Sequence, residues 1–275
     1  MLNNISEKVS QLDGEAIQNY RFRVKLLFIF SLLCYIILAV ITVTNNHKFI
    51  MVILTLIILA IFIGYSFVDN AITKGTNMIL TDKCFPDKYL KALEQTSPYT
   101  QGNMGSTHSA LKNIHHLNKS YALIVEGEFD EGLELLKELE PERFNEFQKK
   151  QLFSIHYYLS FLATVSQGSS YNINEFLLPL QQMEKQEKID KTLYGKRIKS
   201  IKAIDDILDK KVSNYYFDSA DATNHLEKII FTYYRAQNEL LQGNKNKAKS
   251  IFQTIATENP ELFYVREAKQ YLEEN

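Results

Sequence analysis

Two long runs without a charged residue lie close together near the start of this 275-residue chain. The first covers 26–44 (LLFIFSLLCYIILAVITVT) and the second 49–68 (FIMVILTLIILAIFIGYSFV). A helix rises about 1.5 Å per residue, so each run matches the ~30 Å hydrocarbon core of a bilayer. Strands rarely exceed about ten residues, and in lipid every backbone amide needs a partner within its own segment. Both runs are therefore predicted to be membrane-spanning helices. The connector Asn45-Asn46-His47-Lys48 is so short that the two must be antiparallel neighbours. No GxxxG pattern is present. Gly64, Ser66, Ser31 and Cys34 are the small residues available for close approach, and Ser31 and Thr55 are candidates for hydrogen bonds across the pair.

Basic residues set the expected orientation. Arg21, Arg23 and Lys25 precede the first run, Lys74 and Lys83 follow the second, and the connector holds only Lys48. This asymmetry predicts a multi-pass cell-membrane protein with two helices and both termini in the cytoplasm. A cleaved signal peptide is not expected. The segment before the first run carries Glu7, Asp13 and Glu15, the apolar run is longer than a signal's, and no small-x-small site follows Thr44. Residues 1–24 read as a cytoplasmic tail, either a short helix or disordered, and 25–69 as the transmembrane hairpin.

The two cysteines, Cys34 inside a span and Cys84 beyond it, are not placed to pair, which agrees with a reducing compartment. Lysine far outnumbers arginine, and Asn and Ile are abundant, a bias that suggests an AT-rich bacterial genome. The 31 basic and 32 acidic residues are interspersed, so no basic face is expected and nucleic acid is not an expected partner.

Residues 70–107 read as a juxtamembrane helix and linker. Pro86 opens a short helix through Thr96, and 97–107 (SPYTQGNMGST) has linker composition. Residues 108–275 read as a cytoplasmic domain of helices alone, because the apolar spacing is helical almost throughout. Leu111, Ile114, Leu117, Tyr121, Ile124 and Val125 mark one helix, ended by Gly127. A second starts at Phe129, a long one covers about 143–167, and Asn174 is the expected N-cap of the next. Residues 190–211 form another helix, and 212–223 a short helix or loop. Three helices close the chain, broken at Gly243 and at Asn259-Pro260, with Leu262, Val265 and Leu272 inward in the last. The fold class is all-α.

Two segments match each other. Gly127, Gly132, Leu136 and Leu139 parallel Gly243, Ala248, Phe252 and Ile255, and Pro141 and Pro260 follow. The pattern is a helix, a Gly-led turn, and a second helix with a small residue, a large one four later and an exit proline. It resembles the tetratricopeptide repeat. Gly168 suggests a third copy, bearing an insertion. The resemblance implies a stack of antiparallel helix pairs, since single hairpins cannot bury their apolar faces alone. The first helix of each pair lacks the family's Trp-x2-Leu-Gly-x2-Tyr pattern.

Little in the sequence points to chemistry. His108, His115 and His116 cluster, but His108 and His115 are about 10 Å apart along a helix, too far for one metal. Asp205, Asp206 and Asp209 read as a solvated acidic face, with weak cation binding as the sharper alternative. The chain has no paired cysteines, no HExxH and no phosphate loop. No catalytic, metal or cofactor-binding residue is assigned, no cofactor is expected, and an enzyme is not expected. Aromatic pairs stand out at 157–158, 215–217 and 233–234. Adjacent helical residues point about 100° apart, so one ring of each pair should face outward. Tyr158, Tyr234, Arg235 and Asn238 are thus the candidate partner-binding residues. The expected function is a membrane-tethered module that binds a protein or peptide, as an adaptor or accessory subunit of a bacterial membrane complex. One alternative is a small immunity-type or transporter-accessory protein acting through its hairpin. The other is a membrane-bound hydrolase or metal enzyme.

Overall fold

The computed structural model of the chain describes residues 2–44, 48–96, 106–139, 152–186 and 191–275. Helices dominate, and no strand occurs among the described residues. The chain divides into two units, Met1–Leu80 with Lys91–Thr96, and Thr81–Leu90 with Ser97–Asn275.

The first unit holds α1 (Leu2–Gln11), α2 (Gly14–Thr44), α3 (Lys48–Thr81) and the last residues of α4 (Pro86–Thr96). Both long helices outrun their apolar segments. α2 begins at Gly14, well before Leu26, and α3 continues to Thr81, well past Val68. Two helices are thus long and apolar enough to cross a membrane. The segment read as a tail is ordered. Asp13 Oδ1 accepts the Ala16 amide at 2.7 Å and caps α2, while α1 lies along the polar extension of α3. Ser6 Oγ donates to the Ala71 carbonyl at 2.9 Å. A Cβ at Gly75 would stand 2.5 Å from the Ser6 carbonyl oxygen and 2.7 Å from Val9 Cβ, so only glycine admits this approach. Val9, Ile17, Ala71, Ile72 and Ile79 are buried in this unit.

Within the apolar runs, Phe28 stacks on Tyr65 at 4.4 Å between ring centres. The expected cross-pair hydrogen bonds do not form. Ser31 donates to the Leu27 carbonyl at 2.9 Å and Thr55 to the Met51 carbonyl at 2.8 Å, each within its own helix. The carbonyl one turn back is always within reach of a helical hydroxyl, and here it wins. Gly64 is not at the contact either, since nothing lies within 4 Å of where its Cβ would be.

The second unit contains α5 (Ser106–Glu126), α6 (Phe129–Lys137), α7 (Ser154–Ser166), α8 (Asn174–Gln186), α9 (Lys191–Leu208), α10 (Tyr216–Ser219), α11 (His225–Leu241), α12 (Lys245–Ile255) and α13 (Phe263–Glu274). Three glycines end helices as the sequence requires. Gly127, Gly168 and Gly243 have φ of 99°, 68° and 79°. In each case the next amide bonds five residues back, Glu128 to Leu123, Ser169 to Thr164 and Asn244 to Glu239. These are Schellman turns, which need the left-handed conformation glycine adopts without strain. After the first, α6 folds back against α5. Ser120 Oγ donates to the Gly132 carbonyl at 2.7 Å, and a Cβ on Gly132 would sit 2.6 Å from Ile124 Cγ1. α12 returns on α11 in the same way, with Ala248, Phe252 and Ile255 buried.

Between the two hairpins, α7, α8 and α9 pack in succession, and α9 contacts α11. α7 is described from Ser154; the first residues of its expected span, 143–151, lie outside the described set. The helix expected to be capped by Asn174 starts at that residue, and the cap comes from Asn172, whose Oδ1 accepts the Asn174 amide at 3.1 Å. Leu262 and Val265 are buried as expected, whereas Leu272 is half-exposed. The last helix reaches back to the first hairpin. Phe263 meets Phe129 edge-on at 5.0 Å, and the Arg266 guanidinium donates to the Glu126 carbonyl. A strictly nearest-neighbour array would not make this contact. Thr81–Leu90, which the sequence places in the connector, belongs to this unit. Asn259 Nδ2 donates to the Cys84 carbonyl and Glu261 accepts the Asp87 amide at 3.4 Å. Burial pushes the Cys84 thiol up to about 12, so it stays protonated.

Candidate functional site

Charged side chains are almost never fully buried unless paired, yet the second unit buries Glu227, Glu239 and Asp205. Glu227 has the densest set of partners. Asn224 caps α11 by accepting the Glu227 amide at 2.8 Å, which turns the Glu227 side chain back toward the preceding residues. Its carboxylate accepts the Thr223 amide at 2.6 Å and the Thr223 hydroxyl at 2.7 Å. From α9, Lys196 Nζ approaches at 2.7 Å and Arg197 at 3.0 Å. The Arg197 guanidinium lies 4.3 Å from the centre of the Tyr158 ring, and Lys196 Nζ 5.5 Å from that of Phe231. Burial pushes the Glu227 carboxyl up, but Arg197, Lys196 and Thr223 outweigh it and hold the group below its ordinary value. An ionised carboxylate so fully engaged joins α9 to α11 and has little capacity left to accept a proton from a substrate.

Glu239 plays a similar part at the α11–α12 turn, taking Lys247 at 2.5 Å and Asn244 Nδ2 at 2.8 Å. The hydrogen bond from Lys247 is the main cause that lowers its carboxyl below the ordinary value.

The residues expected to face a partner lie differently from the expectation of an outward ring. Tyr158 and Tyr234 are buried, at 3% and 1% exposure. Tyr234 sits among Phe217, Tyr233 and Tyr264. Asn238 is also buried, and its Oδ1 accepts the Asn214 amide at 3.0 Å. Only Arg235 of the four is half-exposed. The reason is the environment of α11, which contacts α9, α10, α12 and α13. With neighbours on several sides, α11 takes both Tyr233 and Tyr234 inward, whereas on α7 one ring of the pair does face outward, and it is the half-exposed Tyr157 rather than Tyr158.

The acidic cluster already holds a cation. Lys210 Nζ lies 2.6 Å from Asp205 and 2.9 Å from Asp206. Tyr171 donates to Asp205 at 2.9 Å and Asn214 to Asp206 at 2.7 Å. Lys210, four and five residues on from these carboxylates, was the signal available in the sequence. Among the histidines, His116 Nδ1 lies 3.3 Å from Glu138, and His156 is buried against Tyr157 as expected of a core residue. The side chain of His108 lies outside the described set. No group of three metal-binding side chains is found among the described residues.

No known protein family, curated protein or solved structure matches this chain.

Proposed function

We propose that this chain is a two-span membrane protein with both termini in the cytoplasm. Its second unit, tetratricopeptide-like in its hairpins, recognises a protein or peptide at that face of the membrane. It acts there as an adaptor or accessory subunit of a bacterial membrane complex. The observation that carries this reading is the surface of α2 and α3. Leu27, Phe30 and Phe49 are 65%, 63% and 77% exposed, and within the most apolar stretches only 6% and 0% of residues are buried. Leaving one such side chain in water rather than burying it costs about 1.5–3 kcal/mol, and exposed apolar patches larger than a few hundred Å² mark interaction surfaces. Lipid is the solvent that fits.

The orientation is supported by Arg21, Arg23, Lys25, Lys74 and Lys83 at one end of the spans. The repeat-like reading is supported by the paired turns at Gly127 and Gly243 and the small residues Gly132 and Ala248 that follow them. Tethering raises the local concentration of a membrane partner without demanding high intrinsic affinity. Exposed Val212 and Tyr215, with the half-exposed Arg235, are among the groups this unit offers for contact.

The test has two parts. Fractionation should recover the chain in membranes, with a reporter fused after Asn275 active in the cytoplasm. Crosslinking in intact membranes should then capture a defined protein, and capture should be lost when Tyr215 is changed to Ala. Recovery in the detergent-free soluble fraction, an externally active reporter, or the same captured set from the Tyr215→Ala variant would refute the corresponding part.

A further inference from the structure

The cations beside the apolar spans are not equally engaged. Arg21 is held by Asp69 at 3.6 Å and Thr73 at 3.2 Å, and Lys74 reaches Asn3 at 3.4 Å. Lys8, Arg23 and the Tyr20 hydroxyl have no hydrogen bond or ion pair among the described residues. α1 and the first turns of α2 enclose a cleft of about 280 Å³, lined by Asn4, Ile5, Lys8, Val9, Leu12 and Tyr20. Arg23 lies one turn above Tyr20 on the same face of α2.

The depth of this cleft follows from helix geometry. α1 and α3 run in the same direction, with Ser6 and Val9 both meeting Gly75 and Ser6 bonded to Ala71. Ala71 is three residues past Val68, about 4.5 Å along the axis. Leu2, one turn before Ser6, is therefore level with the end of the apolar run. Tyr20 stands six residues before Leu26, about 9 Å. The headgroup layer adds roughly 5–8 Å on each side of the hydrocarbon core. The upper end of the cleft therefore opens where lipid phosphates lie, with the half-exposed Ile5 on its apolar wall and Lys8 and Tyr20 on its polar one.

We propose that this cleft binds one anionic phospholipid of the cytoplasmic leaflet. Its phosphate is taken by Lys8 and the Tyr20 hydroxyl under the field of Arg23, and the start of an acyl chain lies along Ile5. The assignment rests on the membrane reading above. A zwitterionic lipid carries the same phosphate but sets its own ammonium beside the two cations, and a free phosphate would leave Ile5 uncovered.

The test uses the full chain in nanodiscs of equal phosphatidylglycerol and phosphatidylcholine, with native mass spectrometry counting lipids retained after mild extraction. Wild type should retain one phosphatidylglycerol in preference to phosphatidylcholine. Lys8→Gln and Arg23→Gln should each weaken retention about fivefold, the effect of one cation near a lipid surface. Lys8→Arg should preserve retention, and Lys199→Gln, on an exposed face of α9, should leave it unchanged. Equal retention of the two lipids, or retention indifferent to both Gln variants, would overturn the site. Displacement by millimolar inorganic phosphate would assign the cleft to a soluble anion and overturn the lipid. A chain that never enters the nanodisc refutes the membrane reading, and this site with it. A chain that enters but shows no lipid preference refutes the site alone.

Discussion

Asn259 donates its side-chain amide to the carbonyl of Cys84 at 2.7 Å, across 175 residues of chain. Its Oδ1 also accepts the Glu261 amide at 3.1 Å. One side chain thus orders the turn before α13 and ties to it the residues that leave α3. Cys84 has a φ of 59°, a conformation a non-glycine residue keeps only when its surroundings demand it. Asn259→Ala should destabilise the second unit by about 1–2 kcal/mol, the cost of leaving a buried carbonyl unpaired. Denaturant unfolding of the full chain in detergent, followed by tyrosine fluorescence, would read the loss.

Glu227→Ala leaves Lys196 and Arg197 without their shared counter-charge in a largely buried setting. Breaking such a group by removing one member costs about 3–5 kcal/mol, so a large drop in thermal midpoint is expected. Glu227→Gln, which keeps the shape and the contact with Thr223, should lose less.

The same residue sets an acid limit. Its carboxyl is held below the ordinary 4.5 in the folded chain. A depressed carboxyl contributes stability that is complete above the unfolded value and disappears as pH falls through the folded one. Wild type should therefore lose stability below about pH 4.5 more steeply than Glu227→Gln. Thermal melts of both proteins across pH 3–6 would show the two curves converging in acid.

Glycine substitutions should separate packed from open positions. Gly132→Ala forces a methyl to 2.6 Å from Ile124 Cγ1 and should cost about 1–3 kcal/mol through overpacking. Gly64→Ala meets nothing within 4 Å and should leave stability unchanged or slightly raised. Paired unfolding curves would distinguish them.

At Gly75 the obstruction is backbone, since the added Cβ would meet the Ser6 carbonyl oxygen at 2.5 Å. Gly75→Ala should lift α1 off α3. Amide hydrogen exchange should then speed up over residues 2–11 while the apolar spans keep their protection.

The features legible in the sequence were those decided by single residues or by composition. Gly127, Gly168 and Gly243 could be read because a left-handed turn is a property of one backbone position. The apolar runs could be read because hydrophobic length is additive. Tyr158 and Tyr234 were misplaced because exposure on α11 and α7 depends on how many helices surround them, which no local pattern records. The acidic face of α9 closed on Lys210, and Ser31 and Thr55 turned to their own helices, because a nearby partner outcompeted the imagined distant one. The clasp of Ser6 and Gly75 joins residues far apart in the chain, and neither carries a mark of the other.

The absence of any break in α2 between Gly14 and Leu26, and in α3 between Val68 and Thr81, has a mechanical consequence. Each helix is a single rod with no joint where its apolar run meets its polar extension, and Arg21 with Asp69 joins the two rods there. A piston shift or rotation imposed on the apolar half is therefore carried to the polar end, and the reverse holds as well.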